Sequence, residues 1–198
     1  MARPNDDLPV LSFPSQAEWE AWLHKHHAAS PGLWLRLAKT GSGTPSVSYA
    51  EAVEGALCHG WIDGQKNSLD DTSWLQKFTP RGPRSLWAKL NRERAERLIA
   101  EGRMTPAGLA AVEAARRDGR WKAAYDSPKT SAVPDDFQAA LARNAKAKAF
   151  FATIDGRNRY AMLWRIQTAK KAETRQRRIQ DFVQMLAKKQ LLYPAARR

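Results

Sequence analysis

Residues 56–91 read ALCHGWIDGQKNSLDDTSWLQKFTPRGPRSLWAKLN, and the folding of this stretch decides the architecture of the N-terminal half. Its first part alternates with period two. Trp61, Asp63, Gln65 and Asn67 fall on one side of an extended segment, Ile62, Gly64, Lys66 and Ser68 on the other. A second run sets Trp74, Gln76 and Phe78 against Leu75, Lys77 and Thr79, with Asp70-Asp71 as the turn. The reading is a hairpin of 61–69 and 73–79. Pro80–Pro83 breaks it, and Ser85 is read as the cap of a helix carrying Leu86, Trp87, Leu90, Leu98 and Ile99, which Gly102 ends.

Working outward, Leu33, Leu35 and Leu37 alternate with Trp34, Arg36 and Ala38, a third strand at 33–38, and Val10–Phe13 reads as a short edge strand. Two helices precede the hairpin. Ser15 with Glu18, and Ser48 with Glu51, have the spacing of capping boxes. The first helix shows Trp19, Trp22, Leu23 and His26 on one stripe; the second buries Tyr49, Ala52, Val53, Ala56 and Leu57. Downstream, Thr105-Pro106 opens a helix with Leu109 and Val112 inward, and Gly119 closes it. Helices follow at about 135–154 with a break near Asn144, at 157–168 and at 170–190. In the last, Ala172, Ile179, Phe182, Val183 and Leu186 point inward, and the Lys and Arg point outward. The fold class is therefore α+β: a small antiparallel sheet flanked by helices, then an all-helical basic half. The expected domains are a core at 10–125, a linker at 126–134 and a basic helical region at 135–193 packed on the core.

The charge is uneven. Residues 1–99 hold 12 Lys/Arg against 11 Asp/Glu, a net of +1; residues 100–198 hold 21 against 9, a net of +12. That asymmetry points the C-terminal half toward something anionic, against the plainer reading of a solubilising surface. A lone cysteine, Cys58, rules out an internal disulfide and argues against a cysteine zinc site. No run is apolar enough to span a membrane and the N-terminus has no signal-like apolar segment, so the expected compartment is the cytoplasm. No metal or cofactor motif is read. His24, His26 and His27 are adjacent near a helix end, where they suit the helix dipole rather than converge on one ion.

The candidate site lies in the opening stretch. Arg81, Arg84, the Ser85 hydroxyl and the free N–H groups of a helix beginning there are suited to hold a phosphate, sulfate or carboxylate. The competing reading has Ser85 capping its own helix and the arginines paired with Asp63, Asp70 or Asp71. A bulge at Gly64 would let Asp63 and Lys66 reach one cleft with Arg81, walled by Trp61, Trp74 and Trp87, and Asn91 completes the candidate set. Tryptophans at that density are more often core. Cys58 and His59 diverge by about 100° on a helix and make a poor dyad.

SYAEAVEGALCHGWIDGQ, FTPRGPRSLWAKLN, EGRMTPAGL, GRW and AKKAETRQRRI together resemble the YdeI/OmpD-associated, bacteriocin-protection family, over nearly the whole chain. The resemblance implies a link to resistance against membrane-active peptides and to a porin, with no reaction attached. On it rests the leading functional expectation: a non-catalytic, stress- or envelope-defence-related binding protein taking an anionic small ligand or an acidic partner. The alternative is nucleic-acid binding through Lys170, Lys171, Arg175, Arg177 and Arg178, with Tyr160 and Trp164 for stacking. A third reading makes it an enzyme using Asp63, His59 or Lys66.

Overall fold

The computed structural model describes residues 7–194. The chain divides into two compact units, one reaching to Trp87 and resuming over Asn91–Lys122, the other made of Ala88–Leu90 and the residues from Ala123 on.

The first unit is built on a four-stranded sheet of order β1-β2-β4-β3: β1 (Val10–Ser12), β2 (Leu33–Ala38), β3 (Trp61–Ser68) and β4 (Ser73–Pro80). The hairpin and the Leu-rich strand pair antiparallel as expected, but β1 runs parallel to β2, so the sheet is mixed. Parallel pairing follows from the helix α1 (Gln16–His26), which carries the chain back between them. One face of the sheet presents Leu33, Leu35, Leu37 and Phe78, all buried, and α1 and α2 (Tyr49–Cys58) cover it. Trp19 of α1 is wholly buried. Its ring lies 5.5 Å from Phe78 and 5.7 Å from Trp22, and its indole N–H donates to Ala52 O at 3.0 Å. Each such aromatic contributes about 2–3 kcal/mol through burial.

The caps are where local sequence places them. Ser48 and Glu51 make a full reciprocal box, while Ser15 accepts from Glu18 N. Thr105 caps α4 (Pro106–Arg117). Helix α3 differs from expectation: it spans Lys89–Ala100, four residues beyond Ser85. Ser85 instead closes a turn, its N–H donating to Gly82 O at 3.0 Å and its hydroxyl accepting from Gly82 N at 3.1 Å. Leu90 and Leu109, expected inside, are exposed at 46% and 40%, as is Tyr49 at 41%.

The second unit is helical: α5 (Asp135–Ala142), α6 (Ala145–Phe151), α7 (Gly156–Gln167) and α8 (Ala172–Ala187). Asn144 caps α6, which explains the break read there. Its core holds Phe137, Leu141, Phe151, Met162, Leu163, Ile166, Phe182 and Leu186. Ala172, expected inward, is exposed. The segment expected as a linker begins at Asp126, whose side chain meets Lys89 Nζ at 2.6 Å and accepts from Gln167 at 2.8 Å, both within this unit. Those contacts outweigh burial and lower its pKa. Asn158 is completely buried. It exchanges hydrogen bonds with the Tyr193 backbone in both directions, which pins the C-terminal segment to α7. Among the described residues no helix is long and apolar enough to cross a membrane.

Candidate functional site

The register of β3 against β4 shifts between Asp63 and Lys66, the irregularity that a bulge at Gly64 would give. Asp63 pairs with Phe78 and Lys66 with Gln76, so three steps on β3 match two on β4. The extra residue reverses the parity of the strand and puts Asp63 and Lys66 on one face. Gln76, itself buried, donates to the bulged Gly64 O at 2.8 Å. Both charged residues then meet one aromatic pair, Tyr49 and Trp74, whose rings are 5.8 Å apart. The Tyr49 hydroxyl donates to Asp63 Oδ2 at 2.7 Å, and Lys66 Nζ sits 4.2 Å above the Trp74 ring. Tyr49 was not among the residues expected at a site. The signal was its place in the first turn of α2, but its apolar ring read as core.

The other expected members go elsewhere. Trp61 is core, its indole donating to His27 O at 3.1 Å and its ring edge-on to Trp22 at 5.8 Å. The Arg81 guanidinium carbon lies over the Trp87 ring, 3.7 Å from its centroid, and Arg81 donates to Leu86 O at 3.2 Å; Trp87 in turn packs edge-on against Trp121 at 4.8 Å. The three tryptophans therefore do not wall one cleft. Arg84 is exposed on the turn, and Asn91 accepts from Arg94 at 3.2 Å in the first turn of α3. With α3 starting at Lys89, Ser85 does not cap it, and the helix N-terminus read beside Arg81, Arg84 and Ser85 begins four residues further on. Asp70 does not pair with these arginines either. Its carboxylate takes bonds from Ser73, Thr72 and Arg36, and the Ser73 and Thr72 bonds hold its pKa down at about 2.

His59 and Cys58 are structural. Burial pushes the Cys58 thiol up to about 11, so it stays protonated at neutral pH and is no nucleophile. His59 Nδ1 donates to Gly55 O at 2.9 Å, and its ring is 5.3 Å from His27. Asp63 is engaged with Tyr49, so the two do not form an acid–base pair. Burial, helped by His27 and His24 and opposed by the Gly55 bond and Glu20, lowers the His59 pKa below 6.5. Below that value the unfolded chain binds the proton more readily than the folded one, so stability falls as pH drops from about 6.5 toward the lower folded value. We expect denaturant unfolding of wild type to lose stability from pH 7 to 5 more steeply than His59→Asn; parallel pH slopes would refute this assignment.

In the second unit, two of the five basic residues assigned to nucleic acid are bound internally. Arg175 grips Asp136 with two bonds, at 2.6 and 2.8 Å, and donates to Ile166 O at 3.0 Å near the end of α7; the bonds to Arg175 lower the Asp136 pKa. Arg178 donates to Arg165 O. Helical periodicity placed both outward; their partners lie in other helices. Lys170, Lys171 and Arg177 are exposed. The expected stacking residues are also occupied. The Tyr160 hydroxyl donates to Asp126 O at 3.0 Å, and Trp164 packs edge-on to Tyr125 at 6.1 Å.

The fold and these surfaces define an α+β protein with a basic helical unit, without a metal-ligating cluster among the described residues. Residues 11–111, just over half of the chain, match the model of a domain of unknown function (DUF8412), and the chain belongs to that family. Residues 130–189 match the family described as Bacteriocin-protection, YdeI or OmpD-Associated. That match covers the helical unit and the motif AKKAETRQRRI; the resemblance drawn over nearly the whole chain is thus narrower, its N-terminal motifs lying mostly in the other match. No match is found among curated proteins or among solved structures.

Proposed function

We propose that the protein is a non-catalytic binding protein of the bacteriocin-protection kind, acting in stress or envelope defence, and that its helical C-terminal unit takes an acidic macromolecular partner. One observation carries this reading. Lys146, Lys148, Lys170, Lys171, Lys188 and Lys189 are all exposed and make no ion pair with a described residue. They sit in the half of the chain whose net charge is +12. The match of this unit to the bacteriocin-protection family supports the class. On the α+β unit, Asp63 bound to Tyr49 and His59 bound to Gly55 O supply no reacting pair.

An acidic protein is favoured over nucleic acid because the aromatic residues that would stack on bases are half-buried and occupied, and because Arg175 and Arg178 serve the fold. The test compares polyglutamate with a duplex oligonucleotide of matched charge, titrated against the whole protein at rising salt. Polyglutamate is expected to bind, weakening with salt, and the oligonucleotide to bind no more tightly. An oligonucleotide preferred by about a hundredfold or more, and lost in the Lys170→Gln/Lys171→Gln/Arg177→Gln variant, would replace this reading with nucleic-acid binding.

A further inference from the structure

The groove between α6 and the end of α8 combines an apolar lining with a cluster of lysines. It is open, about 700 Å³ in volume, and lined by Ala149, Phe150, Thr153 and Ala187 together with Lys146, Lys188 and Lys189. Phe150 and Ala187 are half-buried; Ala149 and the three lysines are exposed. No described carboxylate pairs with any of these lysines, so an apolar strip lies beside an uncompensated charge of +3.

Lys189 adds an independent sign. It is the only described non-glycine residue with a positive φ, at 56°. It occupies the position just past α8 where the chain reverses its twist: its N–H donates to Leu186 O at 3.0 Å, and that of Gln190 to Met185 O at 2.9 Å. Glycine is the usual occupant of that position, because a Cβ there is strained. A lysine kept in this conformation holds a cation over the groove where the helix end alone would be better served by glycine.

We propose that this groove docks an acidic amphipathic helix of a partner protein, its apolar stripe on Phe150, Ala149 and Ala187 and its carboxylates on Lys146, Lys188 and Lys189. This rests on the reading that the helical unit holds an acidic partner, and names where and in what form. A helix fits better than an extended peptide or a bilayer. The unit presents no strand edge among its described residues, so an extended peptide has no ladder to join. A bilayer would need large apolar side chains that protrude, whereas the one large apolar residue here, Phe150, is half-buried. A groove between two helices accepts the ridge of a third, with charge selecting the acidic one.

The probe is a labelled, Glu-rich peptide with leucines at i, i+3, i+4 and i+7, titrated into the whole protein and read by fluorescence anisotropy. A peptide of the same composition with scrambled leucines and vesicles of phosphatidylglycerol run alongside. Lys189→Gly is expected to raise the melting temperature by about 3 °C while weakening the peptide about fivefold. The pair Lys146→Gln/Lys189→Gly is expected to weaken it about twentyfold. A more stable protein that binds less well is a result that a purely structural lysine would not produce. Four outcomes would overturn the proposal: no saturable binding of the peptide, equal binding of the scrambled peptide, preference for vesicles, or affinity unchanged within about twofold in the double variant. If the double variant loses the peptide's advantage over polyglutamate, the groove stands. If polyglutamate still binds and the amphipathic peptide gains nothing, the groove fails while the broader reading survives.

Discussion

Gly108→Ala is expected to destabilise the α+β unit by about 3 kcal/mol, even though alanine is the better helix former by about 1 kcal/mol. Gly108 lies in the first turn of α4, where the helix crosses the end of α2. A Cβ there would stand 2.3 Å from Cys58 O and 2.8 Å from Met104 Cε. The methionine end can swing away. The carbonyl cannot, because it already accepts two bonds, from Thr105 N at 3.1 Å and from the Thr105 hydroxyl at 2.7 Å. Moving it breaks the cap that starts α4, and moving α4 instead opens the packing around the buried Val112 and Ala115. The expected drop in melting temperature is about 10 °C, read by tryptophan fluorescence or calorimetry. A variant within about 0.5 kcal/mol of wild type would mean that the two helices are not held at this spacing.

Trp19→Ala is expected to lose about 4 kcal/mol, and its effect should depend on Gly55. The indole is completely buried among Phe13, Trp22 and Phe78, and its N–H satisfies Ala52 O in α2. Truncation removes the aromatic packing and leaves a buried cavity against the sheet. Gly55, one turn further along α2, exists to admit that ring: a Cβ on it would lie 3.0 Å from Trp19 Cδ1 and Nε1. In wild type, Gly55→Ala should therefore push the indole off Ala52 O and cost about 1–2 kcal/mol. Beside Trp19→Ala the ring contacts are gone and only the Glu20 Cγ, 3.2 Å away on a flexible side chain, has to give, so the helix propensity of alanine makes the substitution favourable by up to about 1 kcal/mol. A double-mutant cycle by chemical denaturation should give a coupling of about 2 kcal/mol. Additive effects would show that Gly55 is not shaped by the ring.

How far the chain could be read depended on the range of each interaction. The hairpin and the Leu33–Ala38 strand follow from period-two alternation. The caps at Ser48, Thr105 and Asn144 follow from contacts spanning three residues. Ser85 shows where such signals become ambiguous. A serine hydroxyl that accepts a backbone N–H serves a turn as well as a helix start, and here Pro83 between Gly82 and Ser85 favours the turn. The Arg81 guanidinium lying on Trp87 accompanies that choice, and nothing local announces it. The bulge at Gly64 was foreseeable as a possibility of glycine, and its consequence, Asp63 and Lys66 on one face, followed once the register was known.

The sequence by itself determined the α+β class, the hairpin at the centre of the first unit, the helical second half and the concentration of positive charge there. All of these depend on period, composition or neighbours within one turn. Tertiary structure alone decided which charges are free. Arg175 and Arg178 look outward on a helical wheel, yet Asp136 and the end of α7 take them inward, because their partners are brought close by packing from far along the chain. It also broke up the site read in residues 56–91, sending Arg81 to Trp87, Trp61 into the core, and Asp63 and Lys66 to Tyr49 and Trp74. Residue types and their order constrain the chain locally, but a site is a meeting of distant side chains, and only the packed chain sets those meetings.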